Sequence, residues 1–255
     1  MIVSLEKLSL TLGGRPVIRD ISLAFPSGEI SVIIGRNGSG KSTLLKLAAG
    51  LLHPSSGTVA YDGADIRRTS AGALARRRAI LLQNPSAPGT MTVGELLHLA
   101  RFSFDSGRQA DETAIRRALD DTNCADLLPR TIGTLSGGEA RKVFLSLALA
   151  QDPELLLLDE PEAGLDADFR TAFPKLLTRL RTERRLTVIM VMHDLDLALQ
   201  CAHLIVGLND GELRFLAPVN APGFPRELTN FTENKYDFFP DPDHFLRALP
   251  RFDRS

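Results

Sequence analysis

Residues 29–42 read EISVIIGRNGSGKS, an apolar run that leads directly into a glycine-rich segment. The run EISVII does not alternate with polar residues, which is typical of a strand covered on both faces. Gly35 to Ser42 fits the pattern GxxxxGK[ST], and Lys41 to Leu51 follows with apolar residues at helical spacing. The order of strand, glycine loop and helix predicts an α/β fold with a phosphate-binding loop at the end of a buried strand.

The glycine loop has the chemistry of a phosphate site. Glycines let the backbone wrap closely around phosphate oxygens, the following helix N-terminus offers free N–H donors, and Lys41 adds a cation. The Ser42 hydroxyl is a candidate Mg²⁺ ligand. An incidental glycine-rich turn is the alternative, and the strand before it and the helix after it argue against that. The predicted nucleotide-binding residues are Gly35, Arg36, Asn37, Gly38, Ser39, Gly40, Lys41, Ser42 and Thr43.

A second apolar strand ends in two adjacent carboxylates. Leu155 to Leu158 is followed by Asp159 and Glu160. A carboxylate at the end of a buried strand can hold Mg²⁺ beside the phosphates of a neighbouring loop, so Asp159 is the candidate metal ligand. Glu160 would face the γ-phosphate, where a carboxylate orients or deprotonates an attacking water, and it is the candidate catalytic base. The alternative is that both residues only cap the next turn.

A second candidate anion site lies in LSGGE, residues 135–139. Ser136 and Glu139 have the spacing of a capping box, and by itself a structural helix start would explain that spacing. However, a serine hydroxyl and two glycines at a helix N-terminus also bind anions. Because one phosphate loop is enough for one nucleotide, the second site suggests a sandwich in which Ser136, Gly137 and Gly138 also contact nucleotide.

Hydrophobic patterning predicts the rest of the architecture. Leu8, Leu10 and Leu12 alternate with polar residues, and Ile18 to Phe25 resumes the pattern, which predicts an antiparallel N-terminal sheet. After residue 134, strand and helix patterns alternate again, which predicts a parallel sheet flanked by helices. The further predicted strands are Thr58 to Tyr61, Ile80 to Leu82 and Thr187 to Met192, and the further predicted helices are Thr92 to Phe104, Thr113 to Leu119, Arg141 to Ala150 and Ala167 to Arg181, with Pro174 placed to kink the last.

These patterns divide the chain into one large domain and a tail. Residues 1–216 form the predicted α/β domain, and residues 84–134 read as a helical subdomain inserted into it. Residues 217–255 are too few to build a separate core and are expected to pack on the domain. That tail is rich in proline and aromatic residues, namely Phe224, Tyr236, Phe238, Phe239 and Phe245.

Composition excludes several classes of function. The 30 Lys and Arg residues and the 31 Asp and Glu residues nearly cancel, so net charge gives no case for binding nucleic acid or an anionic membrane surface. No run approaches the roughly 18 apolar residues of a membrane span, and the first residues lack a secretory signal pattern. We expect a cytoplasmic protein that is not a pore by itself. Cys124 and Cys201 lack a CxxC or clustered-His context, which favours reduced, buried thiols.

Taken together, GRNGSGKS, then LSGGE about twenty residues before LLLLDEP, resembles the nucleotide-binding subunit of ABC transporters, over about Met1 to Phe215. The resemblance implies an ATPase with ATP and Mg²⁺ as cofactors. Gln83 matches the Q-loop glutamine, which contacts Mg²⁺ or water and senses the membrane partner. Asp166, in Gly164-Leu165-Asp166, matches the D-loop between subunits, and His193 matches the switch histidine on the γ-phosphate.

The resemblance also implies partners. In the family, two copies dimerise head to tail, so that each ATP lies between the phosphate loop of one copy and the LSGG serine of the other. The helical subdomain and the Q-loop would receive transmembrane permease subunits, which places the chain at the cytoplasmic face of the membrane. Residues from Leu74 to Phe104 look most like importers of iron-siderophore, haem or cobalamin type, which work with an extracytoplasmic substrate-binding protein.

Three positions depart from the family pattern. Glu139 stands where glutamine is commonest, Glu162 stands where threonine is usual, and Leu12 lies roughly where an aromatic stacks on adenine. An aliphatic side chain packs on adenine with less specificity, so Leu12 bears on nucleotide selectivity.

Two other classes of function stay open from the residues. A soluble ABC ATPase of a non-transport system, such as iron-sulfur cluster assembly, would have a similar size and would bind a soluble scaffold. A catalytically silent regulatory module is disfavoured because Lys41, Asp159, Glu160 and His193 are all present.

Overall fold

The computed structural model describes residues 1–233, 235–241 and 246–251. The strands are β1 (Val3–Leu12), β2 (Arg15–Phe25), β3 (Ile30–Gly35), β4 (Ser56–Tyr61), β5 (Ala64–Asp65), β6 (Arg78–Leu81), β7 (Leu155–Asp159), β8 (Thr187–Val191), β9 (Leu204–Asn209), β10 (Glu212–Pro218), β11 (Tyr236–Pro240) and β12 (Leu246–Pro250). The helices are α1 (Lys41–Ala48), α2 (Ala71–Arg77), α3 (Val93–Leu99), α4 (Arg108–Thr122), α5 (Gly137–Ala150), α6 (Ala167–Arg184), α7 (Leu195–Cys201) and α8 (Phe224–Phe231).

A six-stranded sheet forms the centre, in the order β10-β9-β3-β8-β7-β6. From β9 to β6 neighbouring strands are parallel, and β10 is an antiparallel edge strand. All residues of β7 and β8 are buried, as the uninterrupted apolar runs predict for strands covered on both faces. The prediction of a parallel sheet flanked by helices is therefore confirmed.

Alternate residues of the central strands face two different packed layers. Leu156 and Leu158 of β7 belong to the cluster that includes Phe173 of α6. Leu155 and Leu157 belong to the opposite cluster, which includes α1 and the N-terminal strands. Because successive side chains of a strand point to opposite faces, each apolar strand helps to build both layers.

The N-terminal strands form the predicted antiparallel sheet, in the order β2-β1-β4-β5. In β1 the buried positions are odd-numbered up to Leu5 and even-numbered from Leu8. The pairing register shifts between these two residues, and Lys7 has a left-handed backbone with φ 46°. This bulge changes the phase of alternation within one strand.

The chain between β6 and β7 is mostly helical. The capping box predicted at Thr92 and Glu95 is present at the start of α3. However, α3 ends at Leu99 and not at Phe104, and α4 is longer than the predicted Thr113 to Leu119. The buried residues of α4 lie at helical spacing from Ile115 to Thr122, whereas its polar first half gives no hydrophobic signal for the start of the helix.

Two further predictions concern single residues. Pro174 lies inside α6 and does not end it, because Phe173 and Leu177 on either side remain buried in the core. Cys124 and Cys201 are buried and unpaired, as predicted. In the described part of the chain, no helix is both long enough and apolar enough to cross a membrane.

The C-terminal segment packs on the domain through α8 and through the hairpin that follows it. Phe224 of α8 is buried, and its ring lies 5.8 Å from that of Phe215 on β10. The hairpin of β11 and β12 is held by Arg247, whose guanidinium makes two hydrogen bonds of 2.7–2.8 Å to Asp196 of α7. Phe245, predicted to belong to this segment, lies outside the described residues.

Candidate functional site

The carboxyl ends of β3, β6, β7 and β8 meet at one edge of the central sheet, where the glycine loop also lies. Gly35 ends β3, and a Cβ atom there would lie 2.1 Å from the carbonyl oxygen of Leu208. Gly40 precedes α1 with φ 97°, which glycine adopts without strain. Both positions therefore require glycine for the loop to keep this path.

The Lys41 side chain bonds to the backbone of its own loop. Its Nζ donates hydrogen bonds of 2.9 Å to the carbonyl oxygens of Gly35 and Arg36. Burial lowers the pKa of Lys41, and the nearby carboxylates of Glu160 and Asp159 oppose that shift. The cation is thus held at the centre of the loop by backbone dipoles and carboxylates, where a phosphate would be its stronger partner.

An open cavity of about 650 Å³ lies over the loop. Six of the nine predicted loop residues line it, whereas Gly35, Arg36 and Ser39 do not. Leu12 is 48% exposed and is not among the lining residues, whereas Val17 of β2 is. The lining residues are Val17, Asn37, Gly38, Gly40, Lys41, Ser42, Thr43, Gln83, Glu160 and His193.

Arg36 and Ser39 belong to the glycine loop but do not line the cavity. Arg36 forms an ion pair with Glu233, which follows α8. Ser39 is 3% exposed, and its hydroxyl has no hydrogen-bond partner among the described residues. The C-terminal segment thus contacts the glycine loop from outside the cavity.

Ser42 and Asp159 lie together although they are far apart in sequence. The Ser42 hydroxyl donates a 2.7 Å hydrogen bond to Asp159 Oδ1. Asp159 is 1% exposed, and burial raises the pKa of its carboxyl group while the bond from Ser42 opposes the shift. Mg²⁺ prefers oxygen ligands and is commonly held by one or two carboxylates together with substrate phosphates. The pair fits such an ion.

Glu160 is the point where three candidate catalytic residues meet. His193 Nε2 lies 2.7 Å from Glu160 Oε1, and Gln83 Nε2 donates a 2.7 Å hydrogen bond to Glu160 Oε2. Glu160 has a left-handed backbone with φ 51°, which is strained for a residue with a side chain and is common at functional sites. Its backbone N–H donates to the carbonyl of Val191 at the end of β8. The carboxylate is thereby directed into the cavity.

Arg141 of α5 holds the backbone around Gln83 and Glu160 by hydrogen bonds. It is 6% exposed and donates to the carbonyl oxygens of Leu82 and Gln83 at 3.1 and 2.9 Å. It also donates to the carbonyls of Asp159, Glu160 and Pro161. One buried guanidinium therefore ties the Gln83 loop to the turn after β7.

We expect Arg141→Met to destabilise the protein strongly. The substitution keeps the apolar stem but leaves several buried carbonyls and the nearby carboxylates without a cation, a change that costs on the order of 3 kcal/mol. Urea unfolding followed by circular dichroism would measure this. Arg67→Met, which removes an exposed pair with Asp65, is the matched control and should leave the midpoint nearly unchanged. Equal midpoints for the two variants would contradict the role of Arg141.

The LSGGE segment begins α5. Ser136 caps the helix, and its capping box with Glu139 is present as predicted. A Cβ atom on Gly138 would lie 3.2 Å from the carbonyl oxygen of Gly164, and Asp166 follows as the cap of α6. The candidate binding residues Ser136, Gly137, Gly138 and Asp166 therefore form a second group, and none of them lines the cavity over the glycine loop.

Sequence reasoning missed the roles of Arg141, Glu162 and Val17. Arg141 gave no signal of its role, because it begins the predicted helix beside Lys142, where an arginine is ordinarily exposed. Glu162 stood out only as an unusual residue, and the structure buries it against the backbone of His193. Val17 carried no signal, since its position on the cavity depends on how β2 meets the loop.

Comparison with known families shows to which family the chain belongs. The family model described as ABC transporter matches residues 18–163, which is more than half of the chain. The chain belongs to the ABC transporter family. The matched range includes the glycine loop, Gln83, LSGGE and Glu160, whereas His193 lies beyond it. The family is one of ATPases, and this ABC protein is therefore an ATP-binding ATPase.

Two curated relatives and one solved structure illustrate the similarity. The chain is 38% identical over 213 residues to the iron(3+)-hydroxamate import ATP-binding protein of Bacillus subtilis (strain 168), covering 82% of this chain and 79% of the relative. It is 34% identical over 227 residues to the ferric enterobactin transport ATP-binding protein of Escherichia coli (strain K12), covering 88% and 82%. It matches a dimeric ATP-binding cassette bound to ADP and Pi with TM-score 0.79 at 25% identity, covering 86% of this chain and all of that one.

Proposed function

We propose that this ABC ATPase energises the uptake of an iron chelate through separate membrane subunits. The observation that carries the ATPase part is the meeting of Gln83, Glu160 and His193 at the mouth of the Lys41 cavity. The chelate as cargo is supported by the two relatives, which are named for iron(3+)-hydroxamate import and ferric enterobactin transport.

Nucleotide would be bound with Mg²⁺ in the cavity. Lys41 and the backbone N–H groups of the glycine loop would hold the phosphates, and Ser42 and Asp159 would supply oxygen ligands to Mg²⁺, which neutralises phosphate charge. Gln83 is proposed as a further contact to the ion or its water. Val17 supplies an apolar wall on which a base can pack, in place of Leu12.

Glu160 would act as the general base. Its carboxylate faces the cavity and is held by hydrogen bonds at both oxygens, so it can orient a water for attack on the γ-phosphate. His193 would contact the γ-phosphate and steady Glu160. Because His193 and Gln83 both bond to the Glu160 carboxylate, loss of either side chain should misplace the water.

The working unit would be a head-to-tail dimer. Ser136, Gly137 and Gly138 do not line the cavity of their own chain, yet they offer a hydroxyl and helix N–H groups to an anion. A phosphate group of the nucleotide bound to a second copy would be such an anion. Asp166 lies beside these glycines and would cross the same interface.

The membrane partner would bind the helical part of the chain. Leu99 and Phe102 at the end of α3 are 56% and 90% exposed, and Leu82 beside Gln83 is 37% exposed. Exposed apolar side chains of this size often mark a protein interface. The permease would thus contact both the helical segment and the Gln83 loop. An extracytoplasmic substrate-binding protein is proposed as the further component.

Membrane purification with a tagged chain tests this proposal. We expect permease subunits to co-purify and the complex to bind ATP in a Mg²⁺-dependent way, with binding lost in Lys41→Ala. Lys175→Ala on the surface of α6 is the matched control and should bind ATP normally. Co-purification with a soluble scaffold protein would overturn the transport assignment, and absence of Mg²⁺-dependent ATP binding would overturn the nucleotide site.

A further inference from the structure

Glu162 is a buried carboxylate beside the catalytic residues. It lies two residues after Glu160, is 9% exposed, and accepts a 2.8 Å hydrogen bond at Oε1 from the backbone N–H of His193. Its Oε2 is buried without a hydrogen-bond partner among the described residues. Burial raises the pKa of Glu162, and the hydrogen bond from the His193 backbone opposes that shift.

A carboxylate is an unfavourable choice for this position on stability grounds. A buried oxygen without a partner costs free energy, whereas the usual threonine would bury less polar surface. Threonine, however, carries its hydroxyl two bonds nearer the backbone than glutamate carries its carboxylate oxygens. A glutamate side chain therefore extends farther toward the His193 backbone than a threonine would.

Hydrogen bonds join the turn after β7 to the loop after β8: from Glu160 N–H to Val191 O, from His193 N–H to Glu162, and between the side chains of His193 and Glu160. The N–H of Met192 also donates to the carbonyl oxygen of Ile33 on β3. The bond to Glu162 is the one made by the backbone of His193 itself. The Glu162 bond fixes the orientation of the loop and, with it, the 2.7 Å contact between His193 Nε2 and Glu160.

We propose that Glu162 is a positioning residue that holds His193 against Glu160 through the backbone of the His193 loop. This inference rests on the proposed ATPase mechanism and adds to it a residue that does not line the cavity. The acceptor oxygen, and not the negative charge, is the feature that does the positioning.

Two substitutions at Glu162 test the hydrogen-bond acceptor and the negative charge separately. Glu162→Met keeps the length of the side chain without an acceptor, and it should lower kcat for ATP hydrolysis about 10- to 100-fold while KM stays nearly constant, because misplaced catalytic groups slow the chemical step more than binding. Glu162→Gln keeps an acceptor for the His193 N–H and should restore most of kcat. Equal kcat in Glu162→Met and wild type, or equal loss in both variants, would overturn the proposal.

A double-mutant cycle with His193→Ala distinguishes positioning from a general loss of structure. If Glu162 acts through His193, adding Glu162→Met to His193→Ala should lower kcat no further, whereas independent effects would multiply. Multiplying effects would overturn the inference and leave the proposed function intact. A wild-type chain without Mg²⁺-dependent hydrolysis would overturn the proposed function, and the inference with it.

Discussion

Glu160→Gln is expected to bind ATP with near wild-type affinity and to lose most of its turnover, by about 100-fold or more. The amide keeps the size of the side chain, but only its oxygen can accept a hydrogen bond from Gln83 or His193, and it cannot accept a proton from the attacking water. With hydrolysis blocked, an ATP-bound dimer should accumulate. Steady-state hydrolysis and size-exclusion chromatography with ATP and Mg²⁺ would measure the two effects.

Glu154→Gln provides the matched control. Glu154 precedes β7 at its amino end and pairs with Arg77, whereas Glu160 follows the same strand at its carboxyl end. The control removes a charge near the other end of the same strand, so it should hydrolyse ATP at the wild-type rate. If Glu160→Gln hydrolyses ATP as fast as Glu154→Gln, the base is another group.

Ser136→Arg is expected to abolish turnover of the homodimer, because a long cationic side chain would occupy the space proposed for the phosphate of the partner copy. Lys41→Ala should also be inactive, since it damages the other half of each composite site. Mixing the two inactive variants should nevertheless restore turnover. In the mixed dimer both substitutions fall in one composite site and leave the second intact. Turnover measured against mixing ratio would report the restoration.

Ser70→Arg is the control for the helix cap. Ser70 caps α2 as Ser136 caps α5, so each substitution costs about 1 kcal/mol of capping. Only Ser136→Arg should abolish turnover. If the mixture of Ser136→Arg and Lys41→Ala stays inactive while dimers form, each chain completes its own site and the head-to-tail arrangement is wrong.

The sequence predicted the local structure around the site well. The glycine loop requires a strand before it and a helix after it, and both are encoded within about twenty consecutive residues. The capping boxes at Thr92 and Ser136 were likewise predicted, because a cap depends on residues three positions apart. Boundaries were predicted less well where polar residues begin a helix, as in α4, since a polar turn gives no hydrophobic signal.

The sequence by itself gives the set of groups and their short-range geometry: the glycine loop, the carboxylates after a buried strand and the capped helix start at LSGGE. Only the tertiary structure decided which of them meet, because the order β3-β8-β7-β6 brings together strand ends far apart in the chain. That order places Gln83 and His193 on the two oxygens of Glu160, and Glu162 against the His193 backbone. The position of β2, in the separate N-terminal sheet, places Val17 on the cavity in place of Leu12. Hydrogen bonds between separate loops depend on strand packing, which no local pattern of residues encodes.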